Sequence, residues 1–140
     1  MLKSIFRVPF ALSFVVVGIL HFTSPDPFVS IMPAYLPWHL ELVYLSGVFE
    51  ILGGIGLLIP KARRLAAWGL IALLIAVFPA NINMLVNDIY LDGMPHERWL
   101  LWVRMPLQLV MALCVLWSGD IWPRAEQTTN QGINQGISSF

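Results

Sequence analysis

The chain has 140 residues, 58% of them hydrophobic and 11% charged, against about 25% charged residues in an average soluble domain. So few charges cannot wet the surface of a domain this small, so the apolar excess must face lipid or a very large protein partner. The formal net charge is zero and no basic stretch exceeds Lys61, Arg63 and Arg64, which excludes the electrostatic footprint of a nucleic-acid-binding protein.

Four apolar segments approach the length of about 20 residues that a bilayer requires. The first, Lys3 to Phe22, keeps Arg7 and His21 inside its ends. Basic residues ahead of an apolar run also open secretory signals, but this run ends in His21-Phe22-Thr23-Ser24-Pro25-Asp26-Pro27 without a small-residue cleavage pattern, so it reads as a retained span. In the connection from His21 to His39, Pro25, Pro27, Pro33 and Pro37 alternate with Phe28, Ile31, Met32, Tyr35, Leu36 and Trp38. That is too apolar for a free loop, and it is expected to lie in the interface or fold back over the mouth of the helices as short helical turns.

The second segment, Leu40 to Ile59, contains Glu50; the third, Leu65 to Asn87, contains no charge; the fourth, Trp99 to Ser118, contains Arg104. Beyond it the sequence from Glu126 is polar and nearly repetitive and cannot bury a core. The expected organisation is a four-span domain over residues 1–122 and a disordered cytoplasmic tail over 123–140.

The fold class expected is all-α, a membrane-embedded four-helix bundle with both termini cytoplasmic. Lys61, Arg63 and Arg64 mark the second connection as cytoplasmic, and Lys3, Arg7 and Arg124 agree with it. The first and third connections hold Asp26, Glu41, Asp88, Asp92 and Glu97 with Arg98 as counterweight. Trp38, Tyr90, Trp99, Trp102, Trp117 and Trp122 fall near the span ends, where amphipathic rings favour the headgroup region. The location implied is the cell inner membrane or plasma membrane, crossed several times, with the lipid bilayer as principal partner.

An ionisable side chain in a span costs about 2.5–3.5 kcal/mol on insertion scales, so each needs a partner or a purpose. In the first span Arg7, Ala11, Phe14, Gly18 and His21 form one stripe. In the second, Gly47, Glu50 and Gly54 let a neighbouring helix approach around the carboxylate. In the third, Ala72, Ala76, Pro79 and Asn83 share a small-residue face, and Pro79 releases a backbone carbonyl for Asn81 or Asn83 to satisfy. In the fourth, Arg104 and Gln108 are one turn apart.

At about 1.5 Å per residue, His21 comes near the outer surface, Asn81 and Arg104 a few residues in, Gln108 and Glu50 near mid-depth, and Arg7 toward the cytoplasm. Glu50 is thereby expected within reach of Arg104 from one side and of Arg7 from the other. Two readings follow: a buried ion pair that fixes which helix packs where, or a polar cavity for a proton, a quinone headgroup or a small solute. In the second, His21 would be a proton carrier at the mouth.

His21, His39 and His96 have no helical spacing with each other or with a cysteine, so no metal or haem site is indicated. No GxGxxG, phosphate loop or GxSxG elbow occurs. No catalytic residue and no intrinsic cofactor is assigned, and an autonomous redox enzyme is not expected.

Gly18-Ile19-Leu20-His21-Phe22, Phe28-Val29-Ser30-Ile31-Met32-Pro33 with Leu36-Pro37, and Leu42-Val43-Tyr44-Leu45-Ser46-Gly47 leading to Glu50 and Gly54 resemble the DoxX-like integral membrane proteins. Val77-Phe78-Pro79-Ala80-Asn81 and Arg104-Met105-Pro106-Leu107-Gln108 extend the resemblance into the last two spans. It implies a four-helix membrane bundle and a link to quinol-oxidising, thiosulfate-oxidising or oxidative-stress systems, or to assembly of other membrane proteins. A thiol-based role would have to borrow cysteines from a partner, because Cys114 stands alone.

The function expected is therefore a non-catalytic subunit of a membrane redox system, with Arg7, His21, Glu50, Asn81, Arg104 and Gln108 lining its polar interior. A redox enzyme subunit and a second copy of the chain are the protein partners considered. The rivals are a small-solute or proton-coupled carrier using the same cavity, and an assembly or scaffold factor whose polar core is structural.

Overall fold

The computed structural model describes residues 2–91 and 95–122. Arg124 and the tail expected to be disordered lie outside the described residues. The described chain is all-helical: α1 (Leu2–Thr23), α2 (Asp26–Ser30), α3 (His39–Leu58), α4 (Arg63–Val86) and α5 (Arg98–Ser118). α1, α3, α4 and α5 are long and apolar enough to cross a membrane. α2 is the short turn expected in the proline-rich connection; Pro27 occupies its first turn, where the missing N–H costs nothing.

The long helices pack in chain order, α1 along α3, α3 along α4 and α4 along α5, while α1 touches α5 only lightly. Each neighbouring pair is antiparallel. Gly18 of α1 lies against Gly47 and Ile51, and Ala11 against Gly54; Gly53 and Gly56 of α3 meet Leu70 and Ala66; Met84 and Asn81 of α4 meet Arg104 and Gln108.

Glycine sets the α1–α3 distance. A Cβ on Gly47 would stand 2.8 Å from the His21 Cβ and 2.9 Å from the Gly18 carbonyl oxygen, and one on Gly54 would stand 2.6 Å from the Ala11 carbonyl oxygen. Backbone atoms cannot yield to such contacts, so these two helices sit closer than any side chain at those positions would allow. The stripe read along α1 is the face so buried: Arg7, Ala11, Phe14, Gly18 and His21 are all inside. Ala11, Phe14, Leu57, Ala67, Leu70 and Val115 make the central apolar cluster.

The buried face of α4 differs from the small-residue face read from its sequence. Ala67, Leu70, Ala80 and Met84 are buried, whereas Ala72 and Ala76 are exposed and line an open cleft with Leu42, Leu45 and Phe49 of α3. The outward faces are apolar: Leu65, Ile75 and Val86 of α4 and Trp102, Leu109 and Leu113 of α5 are more than half exposed. A helix apolar on its outward face suits hydrocarbon and not water.

Candidate functional site: three polar groups between the helices

The polar side chains form separate groups. At the end where α1 begins, Arg7 donates from Nε to the Ser118 carbonyl at 2.8 Å and from Nη2 to both carboxylate oxygens of Asp120 at 3.0 Å. Arg63 donates from Nε to the Leu57 carbonyl at 2.9 Å and from Nη1 to Asp120 Oδ2 at 3.1 Å. Ser118 and Leu57 lie in the last turns of α5 and α3, whose carbonyls have no donor of their own helix and whose dipole favours cations. Each arginine therefore caps one helix and the two share one carboxylate. Lys3 completes the ring 3.4 Å from Asp120 Oδ1, with its ammonium 5.8 Å from the Trp117 ring centre.

Partial burial acts to raise the Asp120 pKa, but the Arg63 hydrogen bond, the Arg7 charge and the Lys3 contact outweigh it and hold the carboxyl below its ordinary range. Asp120 was absent from the residues singled out in the sequence. Its signal was an acid directly after a span, at the end where Lys and Arg gather.

In a second group Asn81 donates from Nδ2 to Gln108 Oε1 at 2.7 Å, and Gln108 donates from Nε2 to the Leu74 carbonyl. This link ties α5 to α4 on either side of Pro79, a residue with no N–H to donate within the helix. Gln108 is the polar element of a cleft of about 240 Å³ otherwise lined by Ile71, Leu74, Ile75, Phe78, Leu109 and Ala112. Arg104 donates from Nη1 to Met84 Sδ at 3.2 Å. Asn83, which with Asn81 was one of two candidates to serve a carbonyl freed by Pro79, instead donates to the Ile31 carbonyl at 2.9 Å and so ties the end of α2 to α4.

The third group is His21 with Glu50. His21 is 6% exposed, not at an open mouth, because Phe28 of α2 stacks on its ring with centroids 3.8 Å apart. Its Nδ1 donates to the Val17 carbonyl at 2.8 Å, and Glu50 Oε2 lies 3.4 Å from the same nitrogen. Oε2 is buried and makes no hydrogen bond among the described residues.

The geometry thus brings His21 to Glu50 and Asn81 to Gln108, and it separates Arg7 from both pairs. The ion pair expected between Glu50 and Arg104 or Arg7 is not formed. α1 and not α5 lies against Glu50, and Arg7 turns to Asp120. Among the described residues no group of three or more His, Cys, Asp or Glu side chains could hold a metal ion, and Cys114 is half-buried and free.

Fold and polar groups together define a class: a small all-helical chain whose four long helices can each cross a membrane. Residues 10–119 match the model of a family described as "Domain of unknown function (DUF8561)", and the chain belongs to that family. No curated protein and no solved structure matches the chain.

Proposed function

We propose that this protein is a multi-pass protein of the inner or plasma membrane, a four-helix bundle with both termini cytoplasmic, serving as a non-catalytic subunit of a membrane redox system. The observation that carries the non-catalytic reading is the tying of polar groups across helices. Arg7 and Arg63 close on Asp120, and Asn81 and Gln108 close on the Leu74 carbonyl. Such links fix which helix lies beside which. The orientation is supported by Lys3, Arg7, Lys61, Arg63 and Arg64 gathering at one end while Asp26, Glu41, Asp88 and Glu97 lie toward the other.

The redox assignment rests on the DoxX-like resemblance of the residues from Gly18 to Gln108 quoted above. A quinone headgroup near Gln108 is compatible with the reading and not required by it. The test is a chromosomally tagged chain purified in mild detergent, paired with a deletion strain assayed for quinol- and thiosulfate-dependent respiration. A stoichiometric redox enzyme in the preparation together with impaired respiration in the deletion strain is expected. A chain that purifies alone from cells whose deletion respires normally would remove the redox assignment and leave the membrane fold untouched.

A further inference from the structure

Buried His21 and half-buried Glu50 are ionisable groups that the cross-helix ties do not use, and their surroundings are specific. Gly47 and Gly18 bring the α1 and α3 backbones together beside them, Phe28 covers the imidazole, and the Glu50 side chain is 16% exposed. A carbonyl only accepts, so the bond to Val17 requires the proton of His21 on Nδ1. That proton is engaged 2.8 Å away at the carbonyl, and the Glu50 oxygen 3.4 Å from the same nitrogen is left without a donor.

A bare carboxylate oxygen buried in this way is costly, and one added proton lowers the cost in either of two places. As an O–H on Glu50 it abolishes the charge; as an N–H on His21 Nε2 it sets an imidazolium beside the carboxylate. We propose that His21 and Glu50 form a proton-binding site, a pair that takes up and releases one proton beneath the Phe28 cover. The acid that supplies the proton keeps its conjugate base in solution, and the new bond is the O–H or N–H just named. This goes beyond the subunit reading and does not depend on a redox partner.

The surrounding titratable groups do not compete for that role. Asp26 of α2 and Glu41 of α3 are exposed, and Tyr44 of α3 stacks on Phe22. His39 is hydrogen-bonded to the Pro33 carbonyl, Arg104 of α5 donates to Met84, and α4 has no charged residue between Arg64 and Asp88.

The full chain, reconstituted in liposomes with ¹⁵N-labelled histidine, would be titrated while imidazole nitrogen resonances and carboxylic-acid infrared absorption are recorded. His21 would be assigned by loss of its signal in His21→Asn, and the Glu50 band by its loss in Glu50→Gln. Because the two groups interact, each protonation step is expected to register in both signals of the wild-type chain. The His21 transition is expected to move by about one pH unit or more in Glu50→Gln. A His21 transition unchanged in Glu50→Gln would overturn the proposal. So would wild-type steps that each appear in one signal alone, a result that does not rely on any variant folding.

Discussion

Arg7 shows what a single side chain does for this fold. Almost completely buried, it satisfies the terminal carbonyl of α5 and two oxygens of Asp120. Arg7→Met keeps most of the apolar stem but strands those acceptors, and a loss of about 2 kcal/mol is expected, read as a lowered thermal unfolding temperature in detergent. Asp120 adds a pH dependence of known sign. A carboxyl held below its ordinary range stabilises the fold above that range and loses the contribution as pH falls through its folded value. Wild type is therefore expected to be more stable than Asp120→Asn at neutral pH, with the difference vanishing on acidification below about pH 4. A difference that persists at low pH would show that the ring of Lys3, Arg7 and Arg63 does not act through the ionised carboxylate.

The helices are where sequence and structure agree best, and the reason is physical. A span is defined by its length and its lack of charge, both local properties, so segments read as Lys3 to Phe22, Leu40 to Ile59, Leu65 to Asn87 and Trp99 to Ser118 reappear within two residues as α1, α3, α4 and α5. The Gly47–Gly54 face was legible too, since only a missing Cβ admits a backbone. Which helix fills that approach was not: residue spacing gives depth along an axis, whereas the neighbour depends on how four axes are arranged. That is why Glu50 was assigned to Arg104 and lies beside His21.

The close approach predicts a contrast between glycines. Gly47→Ala is expected to cost about 1–3 kcal/mol by overpacking against His21 and the Gly18 carbonyl. Gly69, with nothing within 4 Å of its added Cβ, is expected to tolerate alanine or gain up to about 1 kcal/mol. Unfolding of both variants in the same detergent checks it. Gln108→Leu is expected to cost about 0.6 kcal/mol, the size of an average hydrogen bond between membrane helices, with Asn81→Leu adding little once Gln108 is gone, as a double-mutant cycle would read.

For the whole molecule the determining term is its solvent. The polar side chains of the three groups turn inward to one another, and the outward faces of α4 and α5 carry Leu65, Ile75, Val86, Trp102, Leu109 and Leu113. Burying those faces in hydrocarbon satisfies them without further protein, because a helix pairs most of its backbone groups within itself. The Asp120 ring was beyond the reach of sequence reasoning because it joins residues 3, 7, 63 and 120, which meet only when the ends of three helices converge. The expectation of membrane residence, in contrast, was written in the composition. Its most direct test is alkaline carbonate extraction of cell membranes followed by ultracentrifugation. The untagged chain is expected to stay in the pellet until detergent is added. Recovery as a folded monomer in the detergent-free supernatant would contradict the account.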